Sequence, residues 1–309
     1  MTIDSQHMDS NGHGTGAPAP RRIGAGIRVA VHGASPAIAR SLAHRFVTAG
    51  SQVTLIDTEL RKAEKAFHEV ASRLQQGADG PGQEDLSQRI QIGADLEKLR
   101  QQSVIFHVPS RQDSIDAIRR DIQLMESMLS AETPVLILVH NSEIAAGLTP
   151  HVEANARLMG LHVPLPRFPV PFAQLIHGQA PSHAALAAAR TALSAIALTP
   201  VETSHALGGL LLDRHFIPVL QEACQMLRSS EASIESLDRG FPTPWLMHLG
   251  PFQAADLLGI DQVVATCQAL VSLTGNKRFA PDPLLKSLEE RGHLGWKSGR
   301  GFYDYAIED

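Results

Sequence analysis

The sequence predicts an α/β fold, with a helix-covered, mostly parallel sheet in the first two thirds and a smaller all-α domain after it. Three observations carry that expectation. A β-branched run, Ile27 to His32, ends at Gly33 and is followed by a helical pattern and a second strand closing on Asp57. Pro134 to Val139 is apolar throughout, as strands covered on both faces of a parallel sheet are. After Gly208, apolar residues recur every three or four positions and no strand pattern is evident.

The elements follow in order. Residues 1–26 are rich in Gly, Ser and Pro, lack the apolar stretch of a signal peptide, and read as a disordered tail. Ile38, Leu42 and Phe46 lie at helical spacing after Gly33. Gln52 to Asp57 is the second strand, and Leu60 to Gln75 a helix, with a Gly-rich loop at Gly77 to Gly82. Arg89 to Ile92 reads as a strand, Asp95 to Arg100 as a short helix, and Ser103 to Val108 as a strand. Ser114 to Leu129 is amphipathic, with Ile115, Ile118, Ile122, Met125 and Met128 on one side. The strand over Pro134–Val139 stops at His140-Asn141-Ser142-Glu143, polar residues where α/β sites are built. The stretch Gly160 to Gln174 puts His162 at one strand end and a polar side chain in the next strand, beyond a Pro-rich turn. A helix over Ser182–Ala195 and a strand near Pro200–Thr203 complete the sheet domain, 27–205. The domain 206–309 then holds a long helix, Gly209–Leu227, and shorter ones near Ser233–Arg239, Pro251–Leu258, Asp261–Leu273 and Pro283–Arg291.

The totals narrow the function. The 309 residues carry a net charge of −5, which argues against a general nucleic-acid surface. No apolar run approaches the ~18 residues of a membrane span. The only cysteines, Cys224 and Cys267, form no CxxC and fit a reducing cytosol. The 15 histidines are scattered without metal-ligand spacing.

Strand, Gly-containing turn, helix, strand and acid form the skeleton of a Rossmann-type dinucleotide-binding unit. The chemistry would place a pyrophosphate on a helix N-terminus and ribose hydroxyls on Asp57, whose charge favours NAD over NADP. Gly33, Ser35, Ala39 and Asp57 are the candidate cofactor-binding residues. Only Gly33 survives of the GxGxxG pattern, and the Ser35 Cβ intrudes where backbone and phosphate meet. A βαβ unit that has kept its fold and lost tight nucleotide binding is the competing reading. A Tyr-x-x-x-Lys reductase site cannot be built, because the only tyrosines are Tyr303 and Tyr305.

The chain resembles the L-3-hydroxyacyl-CoA dehydrogenase family from about Arg28 to Tyr305. Gly250 to Asp261, GPFQAADLLGID, resembles that family's GPFELxDxxGLD; Leu294 to Tyr305 resembles its LGRKTGxGFYxY ending. Asp213 to Pro218 is similar to its NRLLxP, and Gly160-Leu161-His162 to the start of its GLHFFNP. The resemblance implies NAD as cofactor, an acyl-CoA or carrier-protein thioester as substrate, and a homodimer. It also implies a His that takes the 3-hydroxyl proton, a Glu twelve residues on that orients it, and a Ser and an Asn on the substrate oxygens.

Carried over residue by residue, the His is His162, the Glu position holds Gln174, and the Asn position holds Asp213. The Ser position holds Glu143, or Ser142 with a one-residue gap. Phe106 stands for the Glu of the VIEA motif and Ile115 for a nicotinamide-contacting Lys. Gln174 can accept a hydrogen bond but cannot neutralise an imidazolium. Asp213 loses the amide donor and repels a developing oxyanion. A carboxylate from Glu143 or Asp213 within about 4–6 Å of His162 would take over the orienting role. Two functions follow: an NAD-dependent hydroxyacyl-thioester oxidoreductase with altered chemistry, or a non-catalytic acyl-CoA or carrier-protein binding or scaffold relative.

Overall fold

A computed structural model describes residues 26–76, 86, 88–130, 132–164, 172–204, 208–240 and 249–305. Eight strands form one sheet: β1 (Arg28–His32), β2 (Gln52–Ile56), β3 (Ile90–Gly93), β4 (Val104–His107), β5 (Val135–Leu138), β6 (Leu158–His162), β7 (Phe172–His177) and β8 (Thr199–Ser204). Their order is β3-β2-β1-β4-β5-β6-β7-β8. The first six are parallel; β7 runs antiparallel to β6, and β8 parallel to β7. The chain therefore leaves β1 outward on one side and returns to β4 on the other, which opens a crevice between the ends of β1 and β4.

Helices α1 (Ala37–Thr48), α2 (Leu60–Gln75) and α5 (His183–Ala195) cover one face. Their apolar stripes, among them Leu42, Phe46, Val70 and Leu193, bury Val29, Val31, Phe106 and Leu136. Helices α3 (Ile115–Met128) and α4 (Ser142–Ala154) cover the other. There Ile118, Ile122, Leu148 and Val152 bury Ala30, Ile105, Val135 and Ile137. Alternate residues of one strand thus feed two cores, which is why β4 and β5 read as continuous apolar runs.

The helix α4 is absent from the sequence expectation. Gly147 and Pro150 interrupt its pattern, yet a start signal exists: the Asn141 side chain accepts from the Ile144 N–H at 2.8 Å. Ile144, Leu148 and Val152 then recur at four-residue spacing on its buried side. The short helix after β3 is a 3-10 helix over Leu96–Gln101. The expectations of a disordered tail to residue 25, a loop at 77–82, a Pro-rich turn at 165–171 and a domain boundary at 205–207 fall outside the described residues.

The helices α6 (Leu211–Arg228), α7 (Ile234–Gly240), α8 (Pro251–Leu258), α9 (Ile260–Thr274) and α10 (Pro283–Glu290) enclose a third core around Phe216, Phe252, Val264, Cys267 and Phe279. Two buried aspartates organise it. Asp238 accepts from the Phe252 and Gln253 N–H groups at 2.9 and 3.0 Å, capping α8 from a neighbouring helix. Asp256 accepts from the Phe302 and Tyr303 N–H groups and from the Tyr305 hydroxyl. Tyr303 donates to Asp238 at 2.9 Å, joining the two. The GPF and GFYDY motifs are therefore two halves of one fastening. Among the described residues no single helix is long and apolar enough to cross a membrane.

Candidate functional site

The turn after β1 is shaped by Gly33. Its φ of +82° belongs to glycine, its N–H donates to Ile56 O at 2.8 Å, and a Cβ there would run into the Val108 carbonyl oxygen. The Ala34 N–H and the Ser35 hydroxyl donate to Asp57 Oδ2 at 3.1 and 3.0 Å. Ser35 is exposed and its hydroxyl is turned back onto Asp57. Asp57 is 6% exposed, and its Oδ1 receives only long contacts, 3.4 Å from Thr58 Oγ1 and the Glu59 N–H. Pro36 is the N-cap position of α1 and offers it no side-chain cap. Ala39 is fully buried in the core beneath α1, so it sets the closeness of helix to sheet and does not face the turn's open side.

These features fit a dinucleotide. The glycine turn keeps the backbone low, the helix N-terminus is uncapped, and one oxygen of Asp57 retains acceptor capacity for a ribose hydroxyl.

Beside this turn lies a pair that the sequence did not single out. His32 and His107 end the adjacent strands β1 and β4 and are opposite in register. Their Nδ1 atoms are 2.9 Å apart and the rings stack at 5.0 Å. One nitrogen must donate and the other accept, so the pair shares a proton while both rings are neutral. His107 Nε2 is buried with no hydrogen-bond partner among the described residues, 3.7 Å from Asp121 Oδ2. Burial holds both rings below the ordinary His pKa, most strongly His107. The only trace in the sequence is a His at each of two strand ends. Phe106, by contrast, is fully buried against Phe46 in the core, 5.1 Å between ring centres.

At the far side of the crevice, His162 ends β6 and stands opposite Gln174 of β7. The two do not hydrogen-bond. Gln174 is fully buried; its Nε2 donates to Thr203 Oγ1 at 2.9 Å and its Oε1 accepts from the Leu211 N–H at 2.8 Å. Gln174 therefore ties β7 to β8 and to the first turn of α6. His162 keeps partial exposure, but its Nδ1 is sealed off with no hydrogen-bond partner among the described residues.

Ser142 and Asp213 meet where α4 and α6 begin. Ser142 Oγ donates to Asp213 Oδ2 at 2.7 Å and accepts from the Leu210 N–H at 2.9 Å. Gly209, at φ +112°, makes room: a Cβ there would approach Ser142 Oγ to 3.2 Å. Ser142 is fully buried, whereas the next residue, Glu143, is exposed on the outer side of α4. The helix phase thus brings Ser142 into the site and turns Glu143 out of it. Ile115 starts α3 and packs against α4 at Gly147.

Burial, with the neighbouring His140 adding to it, lowers the His162 pKa to about 4. Burial raises Asp213 to about 6, against the opposing hydrogen bond from Ser142. Among the described residues no hydrogen bond or ion pair joins His162 to Glu143, which is exposed, or to Asp213, which accepts from Ser142. The His162 imidazole is thus held neutral near pH 7, with no carboxylate paired to it among the described residues.

Residues 28–206 match the description "3-hydroxyacyl-CoA dehydrogenase, NAD binding domain", and residues 209–305 match "3-hydroxyacyl-CoA dehydrogenase, C-terminal domain". Over 285 residues the chain is 26% identical to the probable 3-hydroxybutyryl-CoA dehydrogenase of Bacillus subtilis, covering 85% of this chain and 92% of that one. It is 28% identical over 203 residues to the 3-hydroxybutyryl-CoA dehydrogenase of Mycobacterium tuberculosis, covering 63% of this chain and 71% of that one. The fold superposes on (S)-3-hydroxybutyryl-CoA dehydrogenase from Ralstonia eutropha with a TM-score of 0.77 at 21% identity, covering 91% of this chain and 99% of that one. For the 3-hydroxybutyryl-CoA dehydrogenase of Escherichia coli the TM-score is 0.78 at 20% identity, over 92% of this chain and 60% of that one. With both halves matched in order and nearly the whole described chain covered, this protein belongs to the 3-hydroxyacyl-CoA dehydrogenase family.

Proposed function

We propose that the chain is an NAD-dependent oxidoreductase that interconverts a 3-hydroxyacyl thioester and its 3-keto form, with His162 as the proton acceptor. The observation that carries this reading is the position of His162. It sits at the carboxyl end of β6, the same end of the parallel strands that holds the Gly33–Asp57 turn, neutral at physiological pH, with the Ser142–Asp213 pair at the start of α6. NAD, when bound, supplies the hydride acceptor. Gly33 and the open end of α1 would hold its pyrophosphate, and Asp57 a ribose hydroxyl. His162 takes the hydroxyl proton, and the Ser142–Asp213 pair orients a substrate oxygen.

A second reading, a non-catalytic acyl-CoA or carrier-protein binding relative, draws support from Gln174. Its amide bonds to Thr203 of β8 and to the Leu211 N–H of α6 and has no hydrogen bond to His162. One pair of measurements separates the two. Acetoacetyl-CoA should oxidise NADH at a rate that His162→Ala lowers by about 10²–10⁴. Equal rates would remove His162 from the chemistry; saturable thioester binding with no turnover and no NADH binding would favour the second reading. We also place the protein in the cytoplasm, where the buried Cys224 and Cys267 remain thiols, and as a homodimer, which sedimentation at micromolar concentration would test.

A further inference from the structure

The proton inventory of the Ser142–Asp213 pair limits what it can do. Ser142 has a single hydroxyl proton. That proton goes to Asp213 Oδ2 at 2.7 Å, while Ser142 Oγ itself accepts the Leu210 N–H at 2.9 Å. An ionised Asp213 has no proton of its own. The pair then has no donor left for a substrate oxygen, and it faces any developing negative charge with a carboxylate. Once Asp213 is protonated, the pair holds two protons. One bridges the two side chains and the other is free to point at a substrate oxygen.

We propose that Asp213 is a proton-gated substrate-oxygen donor: the Ser142–Asp213 pair donates a hydrogen bond to the thioester substrate only while Asp213 carries a proton. This rests on the oxidoreductase reading above for the identity of the substrate, but not for the proton count. The surroundings favour the neutral acid. Asp213 lies in the first turn of α6, between α4 and α9. Among the described residues the titratable or charged groups around it are few: the Cys267 thiol of α9, pushed up to about 12 and so neutral, and Arg214, the next residue on α6. The Arg214 guanidinium is directed elsewhere, to Gly208 O at 3.1 Å and over the Phe279 ring at 5.7 Å. Desolvation therefore outweighs the one hydrogen bond that stabilises the carboxylate, and Asp213 takes up a proton as the pH falls through about 6.

The same arithmetic separates Asp213 from His162. His162 becomes a competent neutral base once the pH rises above about 4. The donor is lost once it passes about 6. In the oxidative direction, the two requirements overlap only in a window between those values, a narrow bell on the acid side of neutrality.

The test is kcat/KM for oxidation of (S)-3-hydroxybutyryl-CoA by NAD, followed from about pH 5 to about pH 8, in wild type and in Asp213→Asn. Wild type should fall about tenfold per pH unit above its midpoint near 6. The amide of Asp213→Asn donates at every pH, so the variant should stay flat across the same range and exceed wild type by about a hundredfold at about pH 8. A flat wild-type profile, or an equal fall in the variant, overturns the proposal. If neither protein turns over, the oxidoreductase reading has failed, and calorimetric binding of acetoacetyl-CoA decides the gate by itself. Affinity should weaken above about pH 6 in wild type and not in the variant; pH-independent wild-type binding sinks it. A third readout needs no stable variant: the wild-type infrared spectrum should show a carboxylic C=O band disappearing with a midpoint near 6, and a band already lost at about pH 4 would refute the proposal.

Discussion

Gln174→Glu should increase catalysis. Lowering His162 from its ordinary 6.5 to about 4 corresponds to roughly 3 kcal/mol against the imidazolium. That penalty enters the barrier wherever His162 carries the proton it has taken. Residues 162 and 174 are opposite in register. Directly opposed side chains have Cβ atoms about 5 Å apart, and a unit charge at that distance is worth about 3 kcal/mol at an effective dielectric of about 20. The new carboxylate could therefore offset most of the cost. Its own burial is the opposing effect, since position 174 is fully buried. Two donors are already in place for it: the Leu211 N–H, at the positive end of α6, and the Thr203 hydroxyl, which rotates from accepting to donating. With the desolvation discounted, kcat should rise about 10- to 100-fold, at the lower end of what general-base chemistry contributes. The assay is NADH formation from 3-hydroxybutyryl-CoA, paired with an NMR titration of His162, whose pKa should climb from about 4 towards 6.5. A folded variant with an unmoved His162 titration and unchanged or lower kcat would refute the reasoning.

Two further outcomes concern stability. Asp213 has a folded pKa raised above the ordinary carboxyl value, so the stability it brings is present at low pH and is lost as the pH rises through about 6. Asp213→Asn should accordingly be more resistant to urea than wild type at about pH 8, by about 1–3 kcal/mol, and the advantage should shrink towards about pH 4. His32 and His107 have the opposite sign: burial lowers both, so their neutral forms stabilise the fold above the ordinary His range and that contribution is lost as the pH falls through it. Urea midpoints of wild type should drop between about pH 7.5 and about pH 5, and a His32→Leu, His107→Leu double variant should show a shallower drop.

The fold was legible because its signals are local. A β-branched run closing on Gly33, apolar spacing in α3 and α6, and the continuous apolar strand β5 each report their own burial. The site was legible only where one position carries its own chemistry, as His162 and Asp57 do. Ser142 and Glu143 are adjacent in the chain, and only the phase of α4 decides which faces inward; that helix was itself hidden by Gly147 and Pro150. The His32–His107 pair joins residues 75 apart. No spacing rule signals it, because parallel strands are brought together by crossover connections of arbitrary length.

Gln174 shows why the loss of an acid need not mean that its position has lost its purpose. Its partners, Thr203 and Leu211, are 29 and 37 residues away and belong to two different elements. Leu211 is the first residue of α6, whose leading N–H groups have no intrahelical acceptor and would be costly to bury unpaired. An oxygen acceptor at 174 is thus demanded by the junction between sheet and helical domain, whatever the chemistry at His162. Either Gln or Glu meets that demand; only Glu adds the charge that stabilises an imidazolium. Folding fixes the acceptor at this position, and catalysis alone distinguishes its charge. A change in rate on restoring the acid, with stability little altered, would read that distinction directly.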